Sequence, residues 1–105
     1  MNAGQQCISP DVVLCHRDVA DEFCEAAKGW LDTFFEGDAQ TSAHFGRIVG
    51  ASQFERVKGM LESHGGTMVC GGKVDAKERY VAPTVVRVGL DSPALEDETF
   101  GPILW

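Results

Sequence analysis

The chain has 105 residues, about the length of one domain. Hydrophobic residues make up 44% and charged residues 24%, a globular composition that excludes a disordered chain. Nine Lys and Arg against sixteen Asp and Glu give a net charge of −7, which repels phosphate backbones and argues against nucleic acid as a partner.

In chain order, residues 2–11 are small, polar and turn-prone, and read as a loop. Val12-Val13-Leu14-Cys15 is a short apolar run, read as a strand buried on both faces. A long helix is predicted next. Asp18 is its expected N-cap, with Asp21 and Glu22 in the first turn, where the helix dipole favours negative charge. Val19, Phe23, Ala26, Ala27, Trp30 and Phe34 are its expected inner face, and Glu36-Gly37-Asp38 ends it. A second helix is predicted from Ser52, with Glu55 in capping-box position. Phe54, Val57 and Leu61 mark its inner side, and Gly65-Gly66 stops it.

Thr67–Cys70 reads as a strand, and Tyr80–Val88 as a strand interrupted by Pro83. Residues 92–98 are acidic and irregular, and Phe100–Trp105 is an apolar run. The predicted order is strand, helix, helix, strand, strand, which implies an α/β layer architecture. No apolar run approaches the roughly 18–20 residues that a membrane span needs. No basic-then-apolar leader opens the chain. The chain starts within a loop and stops within an apolar run, so part of a domain is expected.

The four cysteines show no C-x-x-C pair and no histidines at metal-ligand spacing. Cys15 and Cys24 are expected to be buried free thiols, which points to a reducing, cytoplasmic setting. His16, His44 and His64 stand singly and read as surface or packing residues, and Met60 and Met68 as core filler. Gly71-Gly72-Lys73 lacks the spacing of a phosphate loop. Cys7 lies in a Gly- and Gln-containing loop before an apolar run, a place where a thiol can act as a nucleophile or be an ordinary loop residue. Glu98 closes the acidic run Glu96-Asp97-Glu98, and Phe100 on its own reads as a core residue.

Asn2-Ala3-Gly4-Gln5-Gln6-Cys7-Ile8 resembles the cysteine motif of the aldehyde dehydrogenase superfamily, with Gly4, Gln5 and Cys7 in register. Pro10-Asp11 with the following apolar run, Phe45-Gly46-Arg47-Ile48-Val49 and Tyr80-Val81-Ala82-Pro83-Thr84 are similar to stretches of its class 3 subgroup. Glu98-Thr99-Phe100-Gly101-Pro102 is similar to the superfamily's Glu-x-Phe-Gly-Pro motif. Ser9 and Val12 depart from the usual residues.

The resemblance implies the aldehyde dehydrogenase catalytic-domain fold over residues 1–105, in part, without the nucleotide-binding domain. It implies Cys7 as nucleophile. The thiolate would add to an aldehyde carbonyl, giving an oxyanion held by the Cys7 N–H and a side-chain amide. Hydride loss to NAD or NADP would then give a thioester, which water activated by a glutamate hydrolyses to a carboxylic acid. Glu98 and Phe100 would contact the cofactor, the carboxylate at the nicotinamide ribose and the ring near the nicotinamide. A homodimer is implied for the whole enzyme. The general-base motif Glu-Leu-Gly-Gly does not occur in the 105 residues, so little activity is expected of the chain alone. Two rivals are a non-catalytic remnant that works by binding and a thiol redox protein using Cys7, which has no close resolving cysteine.

Overall fold

The computed structural model describes residues 2–105. Two helices precede five short strands: α1 (Ala20–Phe35), α2 (Ala51–Ser63), β1 (Thr67–Cys70), β2 (Val74–Asp75), β3 (Tyr80–Val81), β4 (Thr84–Arg87) and β5 (Ile103–Leu104). A 3₁₀ turn at Pro93–Leu95 lies between β4 and β5, capped by the Ser92 side chain. β4 is the middle strand of a three-stranded sheet, antiparallel to β1 and parallel to β5. β2 and β3 form a separate antiparallel pair. Helices with mixed sheets agree with the α/β class.

The core forms where α2 lies over the sheet. Phe54, Val57 and Leu61 recur at helical spacing and meet Ile48, Val81, Val86, Ala94, Ile103 and Trp105. That face is the one expected from the sequence. The N-cap differs: Gly50 holds it in extended conformation without a side-chain bond, so Ser52 and Glu55 form no capping box.

Three other expectations need correction. Val12–Cys15 is no strand buried on two faces. The Val13 N–H donates to the Trp105 carbonyl at 2.8 Å, and the Trp105 N–H to the Asp11 carbonyl at 3.1 Å. Those bonds tie down one edge only, and Leu14 stays 83% exposed. Cys15 is exposed and Cys24 half-buried.

The inner face of α1 is turned by one residue, about 100° on a 3.6-residue helix. Ala20 and Phe35 are buried and Cys24, Ala27 and Leu31 half-buried, where α1 meets β1 and β4. Trp30 and Phe34 stack on each other at 5.6 Å yet are 60% and 64% exposed. The apolar stripe of α1 is wider than the surface that covers it. Asp18 is not the cap: Val19 holds that position without a side-chain bond, and the Asp18 N–H donates back to His16 Nδ1 at 3.3 Å. Met68 lies at the surface, whereas Met60 packs on the core.

Tyr80–Val88 divides at Pro83. Proline supplies no N–H for a ladder, and the chain passes there from the small sheet to the large one. Thr84 Oγ1 bridges the step, donating to the Ala82 carbonyl at 2.7 Å and accepting from the Gly72 N–H at 3.0 Å. Phe35, Phe45 and Tyr80 meet edge to face, with centroids 5.3 and 5.9 Å apart, and the Arg47 guanidinium lies 4.9 Å above the Tyr80 ring. This chain of rings seats residues 45–49, against which the Cys7 loop lies.

Candidate active site

Cys7 is exposed in a loop that is held on three sides. The loop turns tightly. Gly4 has φ +72°, the Gln6 N–H donates to the Gly4 carbonyl at 2.9 Å, and the Ser9 N–H to the Gln6 carbonyl at 3.0 Å. Ahead of Cys7, Gly4 presses on the backbone of Gly101, so closely that a Cβ there would fall 2.2 Å from the Gly101 oxygen. After Cys7, Asp11 Oδ1 accepts from the Thr99 N–H at 3.2 Å. On the third side the Gln5 amide binds residues 47–49.

Glu98 and Phe100 are therefore brought to the Cys7 loop from over ninety residues away in sequence. Gly4 and Cys7 are three residues apart, at most about 11 Å of extended chain. Phe100 is half-buried and takes φ +48°, a left-handed conformation uncommon for a non-glycine residue. Its loop is held through its carbonyls. Arg56 on α2 donates to the Glu98 carbonyl at 3.1 Å and to the Thr99 carbonyl, and Gln53 Nε2 donates to the Phe100 carbonyl at 3.2 Å. The Thr99 hydroxyl, fully buried, accepts from Trp105 Nε1 at 2.6 Å. With the backbone fixed, the Glu98 side chain stays exposed.

The arrangement offers an accessible thiol, an aromatic ring and an exposed carboxylate on adjoining loops. A carboxylate can accept two hydroxyl hydrogen bonds of a ribose. As an acceptor, the exposed Glu98 carboxylate has the chemistry that the paired hydroxyls of a ribose call for. Asp11, Gln53, Arg56 and Thr99 support these loops; the sequence reading had Asp11 and Thr99 only as motif members, without a role, and passed over Gln53 and Arg56. Gln53 and Arg56 stand three apart beside the inner face of α2, a spacing that marks one helix side but not what it holds.

The other cysteines differ from Cys7 in setting. Cys15 is exposed on the extended segment, Cys24 faces the sheet, and burial pushes the Cys70 thiol above its ordinary pKa. Burial also raises the Tyr80 phenol, away from the site. Among the described residues, no three His, Cys, Asp or Glu side chains converge to hold a metal ion. No helix among the described residues is long and apolar enough to cross a membrane.

Comparison with known proteins gives this geometry a context. The family model described as "Aldehyde dehydrogenase family" matches residues 1–105. The chain is 41% identical over 105 residues to "Aldehyde dehydrogenase, dimeric NADP-preferring" of Bos taurus, covering 99% of this chain and 43% of that protein. It is 44% identical over 104 residues to "Beta-apo-4'-carotenal oxygenase" of Neurospora crassa, covering 98% of this chain and 20% of that protein. Among solved structures, it superposes on substrate-bound Staphylococcus aureus AldH with a TM-score of 0.92 at 38% identity, covering 97% of this chain and 22% of that one. The NADP complex of glyceraldehyde-3-phosphate dehydrogenase GapN from Methanocaldococcus jannaschii gives a TM-score of 0.80 at 29% identity, covering 97% and 23%.

The chain spans less than half the length of these relatives, and its α/β arrangement is a portion of their fold. A match over the whole sequence, together with this closeness of backbone, shows that the chain belongs to the aldehyde dehydrogenase family.

Proposed function

We propose that residues 1–105 are the nucleophile-bearing part of an aldehyde dehydrogenase catalytic domain, oxidising an aldehyde to a carboxylic acid with NAD or NADP. The observation that carries this reading is the double attachment of the Cys7 loop, Gly4 against Gly101 and Asp11 to Thr99. It joins the loop that carries Cys7 to the segment that carries Glu98 and Phe100, which supports their acting in one site. Cys7 as a thiolate adds to the aldehyde carbon, and its own backbone N–H supports the oxyanion that forms. Among the described residues that N–H has no acceptor, which leaves it free for this task. Glu98 would hold the nicotinamide ribose through its exposed carboxylate, and Phe100 would flank the ring. The bound dinucleotide supplies the hydride acceptor.

Release of the acyl group needs an activated water. No Glu-Leu-Gly-Gly motif stands within the 105 residues to provide its base. The isolated chain is therefore expected to form a covalent bond with an aldehyde analogue and not to turn over. The bovine relative, described as dimeric, supports a dimer for the whole enzyme. The four unbridged cysteines support a reducing, cytoplasmic setting.

The test is labelling with a thiol-reactive aldehyde analogue followed by peptide mapping. Label concentrated on Cys7 is the expected result. Label spread evenly over the four cysteines overturns the assignment.

A further inference from the structure

We infer that Gln5 is the positioning residue of the nucleophile loop, acting through its side-chain amide on the backbone that carries Cys7. The inference rests on the reading of Cys7 as nucleophile. Gln5 Nε2 donates to the Arg47 carbonyl at 2.9 Å, while Oε1 accepts from the Val49 N–H at 2.9 Å. The amide thus pairs with residues 47 and 49 as the backbone of a neighbouring strand would. The second Nε2 proton goes to the Asn2 carbonyl at 2.7 Å, and Asn2 Nδ2 returns a bond to the Gln5 carbonyl at 2.8 Å.

Both donors and the acceptor of the amide are used, so its orientation is set. Its partner segment is anchored in turn. The Ile48 N–H donates to the Arg79 carbonyl at 3.0 Å, Arg79 Nε donates back to the Ile48 carbonyl at 3.1 Å, and the Ile48 side chain is buried in the core. Cys7 stands two residues after Gln5. The amide therefore transmits the rigidity of the core to a loop whose tip, residues 6–8, is exposed. Gly4 against Gly101 fixes how near the loop comes to the Phe100 wall, and Gln5 fixes its direction along that wall.

Chloroacetaldehyde labelling of the full 105-residue chain tests this, with exposed Cys15 as internal reference. In the unaltered chain Cys7 is expected to react faster than Cys15 by on the order of tenfold. Gln5→Met fills nearly the same space without the three bonds, and its Cys7:Cys15 ratio is expected to fall to about one. Gln5→Asn, one methylene too short to span Arg47 and Val49, is expected to lower the ratio as well. It serves if Gln5→Met does not fold. Val88→Ala, which loosens the margin of the core just past the end of β4, should leave the ratio unchanged. That separates positioning from lost stability. A ratio that stays high in a folded Gln5→Met or Gln5→Asn chain overturns the role of Gln5 and leaves Cys7 as nucleophile. A ratio near one in the unaltered chain overturns the nucleophile reading, and the inference with it.

Discussion

Gly4→Ala is the sharpest probe of the contact that joins the two loops. A Cβ at residue 4 would lie 2.2 Å from the Gly101 oxygen, 2.7 Å from its carbonyl carbon and 3.3 Å from the Pro102 nitrogen. All three are backbone atoms and cannot swing aside as a flexible side chain would. Gly4 also sits at φ +72°, where a Cβ crowds its own carbonyl. The left-handed conformation costs an L-residue roughly 1–2 kcal/mol, and overpacking at a tight contact about 1–3 kcal/mol. The expected loss is therefore about 2–5 kcal/mol, a large share of the roughly 5–15 kcal/mol that holds a domain folded. Urea unfolding followed by tryptophan fluorescence measures it through the shift in midpoint.

Gly29→Ala in α1 and Gly59→Ala in α2 are the controls. Neither added Cβ meets an atom within 4 Å, so each should gain up to about 1 kcal/mol from helix propensity. If Gly4→Ala costs no more than these controls gain, the Cys7 loop does not press on Gly101. The juxtaposition of thiol and aromatic wall then fails with it.

Thr99→Val keeps the shape of a fully buried side chain but removes the acceptor of Trp105 Nε1, so unfolding should show a loss of about 1–3 kcal/mol. A neutral result would mean that the indole N–H finds another acceptor. Arg56→Met removes the donors to the Glu98 and Thr99 carbonyls. Amide hydrogen exchange should quicken at residues 98–101 while the α2 core stays protected, and uniform protection would contradict the hold. Asp75 has its carboxyl below the usual 3.8, chiefly through the Glu78 N–H, then through the Lys77 N–H and the Gln40 amide. A depressed folded pKa gives stability that is present above the unfolded value and lost as pH falls through the folded one. Unfolding midpoints from about pH 5 to pH 2 should thus fall more steeply in the unaltered chain than in Asp75→Asn. Parallel curves would refute the assignment.

Period and punctuation in the sequence determined a good part of the fold. The inner face of α2 was readable because Phe54, Val57 and Leu61 recur at helical spacing, and the other apolar residues of that helix are only Ala51 at its start and Met60 at its margin. β1 was readable from its bounding glycines. Pro83 marked a break, though nothing near it said that the two halves would join different sheets. Cys7, Glu98 and Phe100 were legible only as members of motifs. Their local contexts alone allow a loop thiol, a solvated acid and a core ring.

Tertiary structure decided the rest, because a hydrophobic pattern reports which residues avoid water and not what shelters them. In α1 the apolar stripe runs round more of the helix than β1 and β4 can cover, so the buried line moved to Ala20, Cys24, Ala27, Leu31 and Phe35. Val12–Cys15 carries a strand's composition but finds hydrogen-bond partners along one short edge. The site itself depends on contacts between Gly4 and Gly101, Asp11 and Thr99, and Gln5 and residues 47–49. These pairs lie far apart in sequence, and they meet only once α2 and the sheet have closed on their common core.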